Sequence, residues 1–486
     1  MKHGVFIQEE ATALAVPMTG LSSVQVVIGT APVNLLKNPA GAVNTPILAQ
    51  TAAEAMSLLG YSDDFANYTL CQSMFITGNL FPVSPVVYIN VLDPANTNHV
   101  ATVAAATYTV TDKQAVVNVK GILDDSNLAV KTSDASATLV KGTDYTTSFD
   151  ADGNLVITLI ASSTYASETS LSIAGKKLDP SGVTASDIIG AVDGLTGKET
   201  GLEVIRQIYP KLGIVPGLII APGWSQTPSV GIAMAAKAAN INGCFKAMAL
   251  VDLDCGVSGA RKYTDVQTVK TNAGFTSKFM EVCWPMYKVG DYILSKSAVN
   301  AALAQYIDAE NDDVPSISPS NELLGVTGTC LADGTEILLD QDQASTVNSY
   351  GVCTAINMNG FRTFGNYTAA YPTSTDAKDI WIAVRRMFNW QGNTFIQTYF
   401  DRVDDPMNYR LIEAIVDSEN IRCSAYAPDK WAGASIEYLA EDNPTTDILA
   451  GKITFRQHIA PYTPAQEIDN ILSYDTDMLA AAMGGE

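Results

Sequence analysis

A chain of 486 residues, 47% hydrophobic and 16% charged, has room for about three domains and is too apolar for wholesale disorder. Its formal net charge of −22 excludes the clustered Lys and Arg of a nucleic-acid-binding face. No run of about 18 or more apolar residues is found, and Met1 to Phe6 lacks the apolar core of a signal peptide, so folding in a cytoplasm without membrane insertion is expected.

Gly4, Val5, Phe6, Ile7, Gln8 and Glu9 form a short extended run followed by a polar connector through Pro17. A strand this short needs a sheet to join, and a partner chain can supply one as well as its own domain. Val24 to Gly29 then reads as a buried strand, Pro46 to Leu59 and Asp64 to Leu80 as helices, and Pro85 to Val91 as the next strand, which is α/β grammar. From about Pro94 the texture turns to Thr, Ser, Ala and Asp. Short strands are predicted at Tyr145 to Ser148 and Leu155 to Ile160 around the turn Asp150 to Asn154. Alternating helices and strands resume at Leu202 and run to Cys283, followed by a helix over Asp291 to Glu310. The β region is therefore expected as an insertion. Beyond a Pro- and Ser-rich crossover, helices at Asp379 to Thr398 and Asn408 to Asp417 precede a strand at Lys452 to Ala460. That strand puts Lys452, Thr454, Arg456 and His458 on one face and Ile453, Phe455, Gln457 and Ile459 on the other. Pro461 and Pro464 lack an N–H and read as a hinge. Glu467, Ile468, Asp469, Asn470, Ile471, Leu472, Ser473 and Tyr474 form one more strand-like run.

The fold class expected is α/β and α+β multidomain: an α/β middle domain (21–93 and 195–330), an inserted β domain (94–194) and an α+β C-terminal domain (331–465). Arms at 1–20 and 466–486 are expected to exchange strands.

No catalytic, metal or cofactor residue emerges. Three histidines, His3, His99 and His458, are scattered, and no serine sits in a G-x-S-x-G elbow. Gly29 lacks the companions of a phosphate-binding loop. Acidic runs such as Asp308 to Asp313 do not fit a calcium loop and read as solvated. Seven single cysteines without a C-x-x-C pair read as reduced, mostly buried thiols. Arg385-Arg386 is the notable basic pair.

In order along the chain, Gly4 to Glu9, Val27-Ile-Gly-Thr-Ala31, Thr196-Gly-Lys-Glu-Thr-Gly-Leu-Glu203, Ile382-Ala-Val-Arg-Arg-Met-Phe388 and Ala450 to Arg456 running into Ile459 to Ile468 resemble the contractile tail sheath proteins of phages and R-type bacteriocins, with their subtilisin-like middle domain. The resemblance implies a non-enzymatic subunit that polymerises helically around a tail tube and contracts to drive it through a bacterial envelope. Its last domain lies inward and takes strands from neighbours, and the insertion projects outward. Implied partners are copies of itself, the tube protein, baseplate and tail terminator proteins. The implied location is the host cytoplasm during assembly, then a virion tail or released bacteriocin particle. Arg385 and Arg386 become candidate tube contacts. The alternative left open is an α/β enzyme with a β accessory domain.

Overall fold

A computed structural model describes residues 18–484, so the Gly4 to Glu9 run lies outside the described residues. At the centre is a six-stranded sheet in the order Met280–Cys283, Met248–Asp252, Leu218–Ile220, Gln25–Gly29, Val86–Asn90, Ile47–Ala49. The first five run parallel and the last pairs antiparallel to Val86–Asn90. Every residue of Gln25–Gly29, Val86–Asn90 and Met248–Asp252 is buried, as expected of parallel strands covered on both faces. The Lys296–Glu310 helix packs across four of these strands and against the Leu70–Asn79 helix.

Ile47–Ala49 was expected inside a helix. The helix instead starts at Ala52, because Thr51 Oγ1 accepts the Glu54 N–H at 3.0 Å and caps it. The expected helix from Asp291 likewise gives way to a strand at Tyr292–Leu294 before Lys296.

Between Asn90 and Leu218 the chain builds a separate antiparallel sheet in the order Ala129–Thr132, Ser170–Leu178, Val100–Thr111, Gln114–Val117, Leu155–Leu159, Tyr145–Phe149. Asp112 and Lys113, both at positive φ (51° and 66°), make the two-residue turn between adjacent strands, a geometry matched to strand twist. Val117, Leu155, Ile157, Leu171 and Ile173 form the centre of its own apolar core. The predicted turn after Phe149 is closed by Asp150, whose carboxylate accepts the Asn154 N–H at 2.8 Å.

The main core continues past residue 331, to Ile382. Cys353 extends the central sheet: its N–H donates to the Val282 carbonyl at 2.8 Å and its carbonyl accepts from Trp284 at 2.9 Å. Met387, Cys423 and Trp431 meet Val314 in a second, smaller cluster. All seven cysteines are free and six are buried.

Lys270 ties the 350–371 segment to the middle of the molecule. Its ammonium donates to the carbonyls of Tyr350, Ala369 and Tyr371 at 2.7, 2.9 and 2.9 Å, and burial lowers its pKa to about 8. Lys270→Met leaves three carbonyls without a donor and is expected to lose about 3 kcal/mol of stability. Urea denaturation showing a loss below about 1 kcal/mol would refute this clamp.

Candidate functional site

The expected acceptor strand is shorter than its alternation suggests. Residues 456–461 form the strand and Lys452, Ile453, Thr454 and Phe455 do not. Asn443 takes the place of a ladder there, accepting the Thr454 N–H at 2.7 Å and donating to its carbonyl at 2.8 Å. Lys452 pairs with Asp447 at 2.8 Å. Within the strand the alternation holds: Arg456 and His458 are exposed, Gln457 and Ile459 half-buried.

Its partner is Trp431–Glu437, antiparallel, with a bulge between Trp431 and Gly433, and the sequence reading did not find it. Ala432-Gly433-Ala434-Ser435 carries weak strand propensity. The bulge also shifts the parity, so that Trp431 and Ile436 are both buried although five positions apart.

Helices Ile382–Tyr399 and Tyr409–Ala425 support the hairpin. Trp431 is fully buried, donates from Nε1 to the Cys423 carbonyl at 3.0 Å and meets the rings of Trp390 and Tyr426 edge-on. Glu419 is buried beside it. It accepts from Arg422 Nε at 3.0 Å, Gln391 at 2.6 Å and Gln457 at 2.8 Å. Burial alone would raise its pKa, but the hydrogen bonds and the Arg422 charge outweigh burial and hold it below the usual value. On the outer face Arg456 grips Asp442 with two bonds, at 3.0 and 2.6 Å, and His458 lies 3.3 Å from Glu437.

The hairpin is a two-stranded sheet, and among the described residues no third strand pairs with either edge. Such a sheet is marginal by itself and presents open main-chain groups.

Pro461 is the last residue of the strand, opposite Trp431, so the expected hinge loses one of its two prolines to the sheet. A strand's end at an edge tolerates the missing N–H. Pro464 lies beyond, in a connector where Tyr462 Oη donates to the Pro428 carbonyl at 2.9 Å and Gln466 reaches Tyr367 Oη at 3.2 Å. From Glu467 to Tyr474 the chain has no regular structure and every residue is exposed. The strand expected there is not formed within the single chain, since it has no partner to satisfy its backbone. Ile468, Ile471 and Leu472 stand 86%, 92% and 87% exposed. A short helix, Thr476–Ala482, follows, capped by Asp475.

Arg385 and Arg386 are not surface residues, which corrects their reading as tube contacts. Arg386 is 5% exposed and pairs with the fully buried Asp308 and with Ser23 Oγ. Arg385 bonds Asn389 and Asp379 and lies over the Phe279 and Phe388 rings. The acidic run expected as solvated is part of the same joint. The Asp313 carboxylate accepts the N–H groups of Leu21 and Ser22 at 2.9 Å each, and Lys430 binds Asp312 at 3.0 Å and Asn311 at 2.6 Å.

Polar residues also gather at the carboxyl ends of the central strands, where an α/β enzyme keeps its site. Asp252 accepts from Ser297 Oγ at 2.6 Å, the Ser297 N–H at 2.8 Å and Ser225 Oγ at 3.2 Å. All three residues are buried, and the carboxylate serves the start of the Lys296–Glu310 helix. Burial raises its pKa against these hydrogen bonds.

With this geometry in view, the comparisons are direct. The chain aligns with the tail sheath protein of Burkholderia phage BcepMu at 27% identity over 500 residues, covering 99% of this chain and 98% of the relative. Over its whole length it is similar to a contractile tail sheath protein. The sheath protein of Escherichia phage P2 is 26% identical over 299 residues, 59% of this chain and 69% of that one. Among solved structures, the helical sheath of the anti-feeding prophage in its contracted state has a TM-score of 0.56 at 15% identity, covering 97% of this chain and 99% of the other. The contracted sheath complex of an extracellular contractile injection system gives 0.55 at 12%, covering 98% and 99%. These two likenesses establish a shared fold. No family model matches it.

Two predictions follow from the buried charges. Arg386→Met strands Asp308 in the interior and is expected to lose about 3–5 kcal/mol, with Asp308→Leu added to Arg386→Met restoring much of it. Chemical denaturation of both variants checks this, and equal losses would refute it. Because the folded pKa of Glu419 lies below its unfolded value, its contribution is fully present above the ordinary carboxylate pKa and is lost as pH falls through the folded value. Tryptophan fluorescence from Trp390 and Trp431 should therefore report loosening of the C-terminal cluster on acidification, and Glu419→Gln should flatten that response.

Proposed function

We propose that this protein is the repeating structural subunit of a contractile tail sheath, polymerising helically and contracting to drive a tail tube through a bacterial envelope. The observation that carries its mode of assembly is the pairing, in one chain, of a two-stranded sheet that no third described strand completes and a tail whose apolar residues have no cover. A chain that cannot fill its own sheet with its own tail is suited to fill another's. The Gly4 to Glu9 run would be a second donated strand.

Donor and acceptor surfaces differ, so the contact is heterologous and propagates as a helix instead of closing as a dimer. Each main-chain hydrogen bond contributes only about 0.5–1.5 kcal/mol net. One strand is therefore a weak tie, but a lattice in which every subunit gives and receives strands is hard to dismantle. Contraction then moves rigid units while the exchanged strands stay paired, with the Tyr462 to Gln466 connector taking up the change. In this reading the C-terminal hairpin lies inward, the inserted β domain outward, and the tube, baseplate and terminator are partners. Assembly takes place in the host cytoplasm, and the finished sheath is part of a virion tail or a bacteriocin particle.

Chains lacking residues 1–10, or everything after Pro464, are expected to remain folded and to stop forming tubes. Negative-stain electron microscopy beside circular dichroism makes the test, and striated tubes from both truncated chains would overturn strand exchange.

A further inference from the structure

The two edges of the C-terminal hairpin are not equivalent. In an antiparallel ladder, residues alternately turn their N–H and C=O toward the partner strand and away from it. Ile436 turns both away: its N–H donates to Asn420 Oδ1 at 2.9 Å, and its carbonyl accepts from Asn420 Nδ2 at 3.0 Å. The register pairs Ile436 with Gln457 and Ala434 with Ile459, so the main chains of Ala434, Gln457 and Ile459 also face outward. Among the described residues those three have no hydrogen-bond partner beyond the hairpin. The Arg456–Pro461 edge is thus open along its length, while the Trp431–Glu437 edge is occupied at Ile436.

What occupies it is a copy of a peptide group. A carboxamide offers one acceptor and a donor in the same spacing as a backbone amide, and Asn420 makes the reciprocal pair of bonds that an added strand would make. It sits half-buried on the Tyr409–Ala425 helix, so on release its amide returns to water with little loss. Ile421, the next residue on that helix, is 73% exposed and offers apolar ground for the inner face of an added strand. Glu419, one residue before, is held by Gln391, Arg422 and Gln457, and the helix packs against the Trp431–Glu437 strand, so an added strand displaces this stretch of the helix together with the Asn420 amide.

We propose that Asn420 is a latch on the strand-accepting hairpin. In the free chain it holds the place of a strand at Ile436, and it is displaced when the Glu467 to Tyr474 segment of a second copy pairs along Trp431–Glu437. The inference rests on the strand-exchange reading above and adds to it that the C-terminal segment enters the hairpin only by displacing bonds already made. The occupant is argued from this chain's own tail, whose Ile468, Leu472 and Tyr474 fall on one face of an extended strand and are uncovered. The latch also blunts an edge that would otherwise recruit strands indiscriminately.

The test uses the full chain and a fluorescent synthetic peptide spanning residues 465–476, with binding read by polarisation. Asn420→Ala should bind the peptide about 3- to 10-fold more tightly than the unaltered protein, the gain from no longer displacing two hydrogen bonds. Asn420→Asp, which keeps the acceptor for the Ile436 N–H and loses the donor to its carbonyl, should fall between them and serves if the alanine variant does not fold. In hydrogen exchange of the free chain, the segment holding Ile436 should exchange faster in Asn420→Ala than in the unaltered protein. Equal or weaker peptide binding by both folded variants overturns the latch and leaves strand exchange standing. Absence of peptide binding to all three proteins overturns strand exchange, and the latch with it.

Discussion

The joint on which this structure depends is the buried pair of Asp308 and Arg386. Asp308 lies in the last turn of the Lys296–Glu310 helix, where the helix dipole disfavours a carboxylate, and it is fully buried. A charge so placed persists only with a partner, and its partner comes from the other side of an interface: the Ile382–Tyr399 helix that supports the C-terminal cluster. Ser23, where the chain enters the central sheet, completes the arrangement. One ion pair therefore fixes three parts of the chain that are far apart in sequence.

The turn that follows reinforces the joint. Asp312 and Asp313 both adopt positive φ, 59° and 60°, a conformation that side chains other than glycine take up at some energetic cost. What they gain is reach. Asp313 holds the entering backbone at Leu21 and Ser22, while Asp312 and Asn311 hold Lys430, next to the first residue of the C-terminal hairpin. The root of the N-terminal segment and the root of the C-terminal hairpin are thus fastened to a single turn. A pull on either is passed to the other through side-chain bonds and not through a flexible linker.

Much of the fold could be read from local pattern. Val24 to Gly29, Gly217 to Ala221 and Ala247 to Asp252 are apolar runs of strand length, and they became central parallel strands. The hairpin around Asp150 to Asn154 was legible because the turn chemistry is local. The misses have physical causes. Ile47–Ala49 was hidden in an apolar stretch continuous with a helix, and only the Thr51 cap divides them. Trp431–Glu437 was masked by small residues and a bulge that breaks its period. Arg386 was read as a candidate tube contact because its carboxylate is 78 residues away in sequence, beyond any local spacing rule. Glu467 to Tyr474 has strand-like character and no strand, because among the described residues nothing pairs with its backbone.

The unequal ends of the molecule have a consequence for anything built from it. If each tail occupies the hairpin of the next subunit, a finite stack cannot be symmetric end to end. At one terminus the last layer displays hairpins with nothing in them, and at the other it trails uncovered apolar segments. The two termini then differ in chemistry as well as in direction. Nucleation and capping are separate problems that call for different proteins: one has to offer strands, the other has to receive them.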